Sequence, residues 1–353
     1  MKRILIVTGG TGGHIFPAMA LGDYLESEGW KIFYLIGGSK LKLEENGEIY
    51  NIKISSPLVG NLFKRIKSIW ELKISFVKSF MLIKKLRVDL ILAGGSYASF
   101  PAICASIVVK TPFYLLEQNV LPGLVTKIFS PYAKAVFTGF EATKNYLKGN
   151  IVHTGNPIRK KALLKIDKIE AKRKLGIPDY KKMVLVVGGS MGAYSVVNAI
   201  IPLIEELNDF YFIIQTGKKN FGYFSDKMGV KGKNHMLISF IEDMGLYYSA
   251  ADIVISRAGA SAVTEIAYHS LPAILIPYPH SRDRHQYYNA KVLADCGMAI
   301  IVEEESDMPD RIKTAIKNFE ALRKEHKECK IYKPDCLQII REVIEKNGTF
   351  QKG

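Results

Sequence analysis

The chain has 353 residues, 48% hydrophobic and 24% charged, a soluble globular composition with enough length for two cores. Lysine and arginine number 49 against 34 aspartates and glutamates, a formal charge of +15 that favours polyanions, anionic membrane surfaces or phosphate-bearing substrates. Four scattered cysteines (Cys104, Cys296, Cys329, Cys336) with no Cys-x-x-Cys pair predict a reduced cytoplasmic protein without structural zinc, and no apolar run approaches the ~20 residues of a membrane span.

The apolar run after Met1-Lys2-Arg3 stops at Thr8-Gly9 and lacks a cleavage site, so a signal peptide is not expected. Ile4-Leu5-Ile6-Val7 reads instead as a strand buried on both faces of a parallel sheet. Thr8-Gly9-Gly10-Thr11-Gly12-Gly13-His14 follows, and then Ile15, Phe16, Ala18, Met19, Leu21 and Leu25 at helical spacing, with Pro17 placed in the first turn. A strand, a glycine turn and a helix start form an anion site, because the turn's N–H groups and the helix dipole converge there. The plainer alternative is a tight turn that needs glycine for backbone reasons alone. A Walker loop is excluded because His14-Ile15 stands where Gly-Lys-Ser/Thr would be needed. The dinucleotide fingerprint lacks its third glycine at Ile15 and its acidic residue after the second strand, which ends in Gly37-Gly38-Ser39.

Strand-like runs at 32–36, 88–93, 112–116 and 135–137 alternate with helical patterns, the mark of an α/β chain. Between the second and third of the predicted strands, 62–87 carries Lys64, Arg65, Lys67, Lys73, Lys78, Lys84, Lys85 and Arg87 against Glu71 alone. Phe63, Ile66, Ile69, Trp70, Ile74, Val77, Phe80 and Met81 are interleaved with them. This is either a basic amphipathic surface for an anionic membrane or a pair of ordinary helices with solvated lysines. Residues 151–159, with Gly155-Asn156-Pro157, break the alternation and read as an interdomain connector.

The pattern restarts at 183–187, followed by Gly188-Gly189-Ser190-Met191-Gly192-Ala193 and a helix. Two open α/β domains result, 1–156 and 157–334, with the glycine turn of each at a common cleft and a closing helix at 335–353 packing back on the first domain. A strand at 253–256 runs into Arg257-Ala258-Gly259-Ala260-Ser261-Ala262-Val263-Thr264-Glu265. Ser261 and Thr264 are placed to cap or donate at a helix start, and Glu265 could accept from both hydroxyls of a ribose or merely offset the helix dipole. After the strand at 273–276 comes a polar stretch from Pro277 to Asn289. His280 and His285 lack a third ligand, and no Asp-x-Asp occurs, so no metal site or metal clamp is expected.

These residues carry a resemblance. Gly9-Gly10-Thr11-Gly12-Gly13-His14-Ile15-Phe16-Pro17-Ala18, Glu117-Gln118-Asn119, Gly155-Asn156-Pro157-Ile158-Arg159, Gly188-Gly189-Ser190 and Phe240-Ile241-Glu242-Asp243-Met244 are ordered as in the MurG family. So are 256–265, Asp283-Arg284 and Gln286-Tyr287. The family comprises peripheral membrane glycosyltransferases. The resemblance implies the GT-B fold, two Rossmann-like open parallel-sheet domains. It implies inverting, metal-independent transfer of N-acetylglucosamine from UDP-GlcNAc to the 4-hydroxyl of undecaprenyl-diphosphate-linked muramoylpentapeptide, with no cofactor and no nucleic acid partner. The implied location is the cytoplasmic face of the bacterial inner membrane, with 62–87 against the anionic surface.

Donor contacts implied by the matching motifs are Thr11, Gly12, Gly13, Asn119, Arg159, Ser190, Ile241, Ala260, Ser261, Ala262, Val263, Thr264, Glu265 and Gln286. Ile241 would meet the uracil, Glu265 the ribose, and Ser190, Ser261 and Ala262 the diphosphate. Three departures stand out. Met191 replaces a common Gln, Ser96 takes a glycine position in Gly94-Gly95-Ser96-Tyr97, and His285 replaces a frequent Gln. Inversion needs a base, and His14 is the first choice, because imidazole is the side chain whose free form titrates near neutral pH; its other reading is a ligand or backbone contact. Rival functions are another GT-B enzyme using UDP-sugars, a UDP-N-acetylglucosamine epimerase, or a non-catalytic membrane-docking subunit.

Overall fold

The computed structural model describes residues 1–10, 12–38, 48–54, 62–189, 192–324 and 329–347, the side chains of 62–66, 323 and 324 excepted. Thr11, Ser190 and Met191, singled out above, lie outside the described residues, as do Ser39 and the last residues of the predicted closing helix. The chain divides into two compact units, Met1–Pro157 with Lys333–Gly353, and Ile158–Tyr332.

The first unit holds seven strands, β1 (Arg3–Gly9), β2 (Lys31–Gly37), β3 (Glu48–Ile52), β4 (Leu90–Ala93), β5 (Phe113–Glu117), β6 (Val136–Thr138) and β7 (Ile151–His153). They form one parallel sheet in the order β3-β2-β1-β4-β5-β6-β7. Alternate residues of each strand feed opposite faces. Ile4, Ile6, Tyr34 and Leu92 pack on one side, and Leu5, Val7, Phe33 and Ile91 on the other. The continuous apolar runs are therefore what a doubly covered parallel sheet requires.

Two strands differ from the sequence reading. β3 was not expected, because Glu48-Ile49-Tyr50-Asn51-Ile52 carries polar residues that an edge strand tolerates and a central one does not. Residues 151–153 form β7 on the opposite edge rather than part of a connector; so short a strand has no periodicity to read. Pro17 sits inside the Gly12–Ser27 helix, past its first turn. The 62–87 segment is one continuous helix, Leu62–Leu86, not a pair.

The Cys336–Asn347 helix belongs to the first unit's core, with Cys336, Ile340 and Ile344 buried alongside Tyr114 and Phe137. Lys2 pairs with Glu345 at 2.6 Å, Arg341 pairs with Glu28, and Lys333 Nζ donates to the His153 carbonyl at 2.9 Å.

The second unit contains β8 (Lys182–Val187), β9 (Phe210–Gln215), β10 (His235–Ile238), β11 (Ile253–Ser256), β12 (Ala273–Leu275) and β13 (Ala299–Ile301). Its parallel sheet has the order β10-β9-β8-β11-β12-β13. The expectation of four reduced thiols is corrected here. Cys296, at the end of the His285–Asp295 helix, is joined to Cys329, 33 positions on, by a disulfide with Cα atoms 5.7 Å apart. Only chain folding brings them together, so spacing could not reveal the pair. Cys104 and Cys336 are free thiols.

Two consequences are measurable. Ile340→Ala empties part of a fully buried core and is expected to cost about 2–5 kcal/mol in denaturant unfolding; a loss near zero would mean the helix does not pack there. His269 accepts burial as a neutral ring, its Nε2–H donating to the Ala162 carbonyl at 2.7 Å, and burial lowers its pKa to about 4. The unfolded chain binds that proton near the ordinary value of ~6.5, so His269 contributes stability above that pH which is lost as pH falls toward 4. His269→Gln should flatten the stability–pH curve between those limits, and an unchanged slope would contradict this.

Candidate active site

In open parallel sheets, ligands meet the carboxyl ends of the strands where the winding reverses. In the first unit this point lies between β1 and β4, which pair from Ile4↔Leu90 to Val7↔Ala93. The turn after β1 and the turn after β4 therefore emerge side by side. A Cβ at Gly9 would lie 2.1 Å from the Gly37 carbonyl oxygen and 2.7 Å from Ala98 Cβ, so glycine is obligatory there for close packing. Gly10 has φ +85 with open space around it. The plain steric reading of the turn thus accounts for Gly9 and Gly10.

The chemistry begins at His14, half-buried in the first turn of the Gly12–Ser27 helix. Its carbonyl accepts from Thr8 Oγ1 at 3.1 Å, and its Nδ1 lies 2.8 Å from Gln118 Oε1. An amide oxygen only accepts, so Nδ1 carries the hydrogen and the neutral ring keeps its lone pair on Nε2. Gln118 is buried just beyond β5, and its backbone carbonyl accepts from Asn156 Nδ2 at 3.1 Å. The neighbouring Glu117 is saturated by the Asn119 and Gly123 N–H groups at 3.1 and 3.0 Å and Thr126 Oγ1 at 2.7 Å. Its carboxylate therefore shapes the 117–126 turn rather than facing a substrate. Asn119 is held in the same turn, its carbonyl accepting from Thr143 Oγ1 at 3.0 Å.

Ser96 resolves one departure. Its φ and ψ are −78 and 157, extended backbone that any residue adopts, while the positive φ falls on Gly95. Serine therefore fits where the family has glycine. The next residue, Tyr97, has its hydroxyl buried and its pKa pushed up to about 12 by burial.

In the second unit the winding reverses between β8 and β11, which pair up to Val187↔Ser256. A Cβ at Gly192 would meet the Thr216 carbonyl oxygen at 2.3 Å, and its φ is +74, so this turn also needs glycine sterically. Gly259 differs: its φ is −65, and a Cβ there would meet nothing within 4 Å. It is the N-cap of the Ala260–His269 helix and, as glycine, brings no side chain of its own to the first N–H groups. A helix start of this kind suits an anion. Thr264 lies one turn into this helix. It is buried, and its hydroxyl donates back to the Ala260 carbonyl at 2.9 Å, the local bond a threonine makes inside a helix.

Glu265 is buried in the second turn, where Tyr248 donates to its Oε2 at 3.1 Å. Burial raises its pKa, opposed by the Arg159 guanidinium and the Tyr248 hydroxyl. Arg159 is the N-cap of the short Lys160–Leu163 helix, in the same unit as Glu265. Ile241 is buried after β10, and Ala260 and Val263 are buried while Ser261 and Ala262 are partly open. Gln286 Oε1 accepts from the Tyr278 N–H at 2.9 Å, tying the helix start to the loop after β12. The structure thus gathers Arg159, Ile241, 260–265 and Gln286 into the second unit, and Gly12, Gly13, His14 and Asn119 into the first.

Four participants escaped sequence reasoning as individuals. Gln118 and Asn156 steady His14, Tyr248 steadies Glu265, and Asn289 Nδ2 donates to the Ala258 carbonyl at 3.2 Å. Arg257 is a structural clamp, paired with Glu304 and donating to the Ile276 carbonyl and Ser195 Oγ, each at 3.1 Å. The motifs containing these residues were the signal; which member touches what depends on contacts across 17 to 104 positions.

Comparison with known proteins agrees with this architecture. Residues 4–138 match the glycosyltransferase family 28 N-terminal domain and 183–334 its C-terminal domain. A UDP-N-acetylglucosamine–N-acetylmuramyl-(pentapeptide) pyrophosphoryl-undecaprenol N-acetylglucosamine transferase of Sulfurihydrogenibium sp. is 34% identical over 98% of both chains. One of Aquifex aeolicus is 33% identical over 90% of this chain and 91% of its own. The crystal structure of Acinetobacter baumannii MurG superposes with a TM-score of 0.75 at 26% identity, covering 98% of this chain and all of that one. A UDP-GlcNAc 2-epimerase of Neisseria meningitidis, at 18% identity and a TM-score of 0.69 over 98% of this chain and all of that one, shares the fold alone. With both glycosyltransferase family 28 domains, GT-B sheets and near full-length relatives, this chain belongs to the MurG family.

Proposed function

We propose that this chain transfers N-acetylglucosamine from UDP-GlcNAc to the 4-hydroxyl of undecaprenyl-diphosphate-linked muramoylpentapeptide, with inversion. The observation that carries the donor reading is the Ala260–His269 helix. Its glycine-capped N-terminus suits a diphosphate, and the buried Glu265 carboxylate, about one turn further on, suits a vicinal diol. Together they fit a nucleoside diphosphate. Ser261 and Ala262 take the diphosphate, Glu265 the ribose and Ile241 the uracil; Gly12, Gly13, Asn119, Arg159, Val263, Thr264 and Gln286 complete the proposed contacts, with Thr11 and Ser190 from the motif match.

His14 is the proposed base. Its Nε2 takes the proton from the acceptor hydroxyl as that oxygen bonds to the sugar's C1, and the C1–O bond to the diphosphate breaks with its electron pair leaving on UDP. Charge growing on the leaving phosphate is stabilised by the helix N–H groups and Arg159. No step requires a metal.

The acceptor's lipid gives the Leu62–Leu86 helix a purpose. Its inward face buries Ser68, Ser75 and Ser79, while Trp70, Ile74, Val77 and Met81 are 61%, 52%, 50% and 57% exposed. Lys67, Lys73, Lys78, Lys84 and Lys85 flank them, and Ile107 and Val108 on the Phe100–Val109 helix are also exposed. Ile83, Phe76, Phe80 and Leu86 pack inward beside those serines, so the outer apolar row is surplus to the core and fits an interfacial helix on an anionic leaflet. No described helix is long and apolar enough to cross a membrane. The proposed location is the cytoplasmic face of the bacterial inner membrane, a reading supported by this helix and the lipid-linked acceptor.

The deciding assay supplies labelled UDP-GlcNAc and a lipid-linked muramoyl acceptor, with and without a chelator. Transfer to lipid that survives chelation is expected; conversion of the donor without lipid would mark an epimerase instead. His14→Ala should lower kcat roughly 100- to 10,000-fold with UDP-GlcNAc affinity nearly intact, and near-normal turnover would remove it as the base. On anionic vesicles, Trp70→Glu with Met81→Glu should weaken binding about tenfold or more while soluble-donor affinity persists; unchanged vesicle binding would move the docking surface elsewhere.

A further inference from the structure

We infer that Gln118 is a positioning residue for His14: its side-chain oxygen takes the Nδ1–H of the ring and thereby commits the lone pair to Nε2, the nitrogen that receives the acceptor's proton. The inference rests on the proposal that His14 is the base. The contact is 2.8 Å long and joins residues 104 positions apart, so the fold, not local chain geometry, sets it.

Gln118 is itself fixed. It is 1% exposed, its carbonyl is held by Asn156 Nδ2 at 3.1 Å, and it follows the saturated Glu117. His14 is tied from its own side by the Thr8 hydroxyl. Ring and amide therefore meet as two anchored groups, and the ring cannot turn over without breaking that bond.

Choosing an amide rather than a carboxylate has a chemical consequence. A carboxylate in this place would orient the ring equally well but would also stabilise the imidazolium, holding the base protonated at neutral pH. The amide orients without adding charge. Titratable groups on the neighbouring elements do not replace that charge. Glu117 is engaged with donors from Asn119, Gly123 and Thr126, Tyr97 has its pKa raised to about 12 by burial, and His153 on β7 has its pKa lowered by burial. A second observation points toward a ligand: the Nε2 of Gln118 is buried with no hydrogen-bond partner among the described residues. Buried amide donors are nearly always paired, and an oxygen of the bound acceptor would complete this one.

The test uses the full chain with UDP-GlcNAc and the lipid-linked acceptor, followed from about pH 5.5 to 9. Gln118→Glu should keep turnover on the alkaline side and move the acid limb of kcat/KM upward by roughly one pH unit. Gln118→Met, which keeps the bulk but not the acceptor, should lower kcat roughly 10- to 100-fold, the usual loss when the partner orienting a functional histidine is removed. UDP-GlcNAc affinity should be unchanged in both, which reports that the chain is folded. In a His14→Ala background, Gln118→Met should have little further effect, because the two act as one unit. An unmoved acid limb in Gln118→Glu with donor binding intact, or full additivity of the double variant, overturns the inference. Should Gln118→Glu not fold, Gln118→Met and the double variant decide the matter. Near-normal turnover in His14→Ala would instead overturn the base assignment, so the two failures are distinguishable.

Discussion

Reversal of strand order within each parallel sheet is the constraint on which the chemistry of this chain depends. A right-handed crossover carries the chain from β1 outward to β3 and back to β4, and from β8 outward to β10 and back to β11. At each reversal two neighbouring strands send their carboxyl ends into loops that diverge, and the gap between them is open to a ligand. The first gap is bordered by the Gly9–Gly10 turn and by Gly94–Ser96, the second by Gly188–Gly189 and by Arg257–Gly259. Glycine at Gly9 and Gly192 is there because backbone passes within van der Waals range of backbone. The close approach brings strand ends together so tightly that the side chains beyond them have defined positions.

Among those side chains, how far each buried polar group at the sheet ends is paired decides its work. Glu117 is filled by donors from Asn119, Gly123 and Thr126 and is architectural. Glu265, nearly as buried, receives the Tyr248 hydroxyl and the field of Arg159 among the described residues, leaving acceptor capacity for a diol. His14 has one nitrogen engaged by Gln118. The difference between a structural and a reactive polar residue here is the number of lone pairs left over, a quantity invisible in residue type.

The Leu62–Leu86 helix follows a different logic. Its serines face the protein, with Ser75 donating to the Lys53 carbonyl at 2.9 Å and Ser79 to the Ser75 carbonyl at 2.7 Å. Small inward residues let the helix lie close against the Phe100–Val109 helix, Ile83 and Phe80 fill the core beside them, and a second row of large apolar residues is left outside. Lys73 lies 5.3 Å from the Trp70 ring centroid, the kind of lysine–aromatic pairing that suits an interface of charged headgroups and apolar chains.

Much of this was legible in the residues themselves. Uninterrupted runs such as Ile4–Val7 and Met183–Val187 specify doubly covered parallel strands, because hydrophobic burial acts on each residue independently of its distant neighbours. The glycine turns, the domain pattern and the family resemblance follow from local order along the chain. The edge strands β3 and β7 were not legible, since a strand with one partner tolerates polar residues and can be three residues long. The disulfide of Cys296 with Cys329, the partnership of His14 with Gln118 and the bond from Tyr248 to Glu265 were likewise decided by the tertiary structure alone. Each is a contact between residues far apart in sequence, made when sheet winding carries their backbones together; composition and spacing hold no record of that meeting.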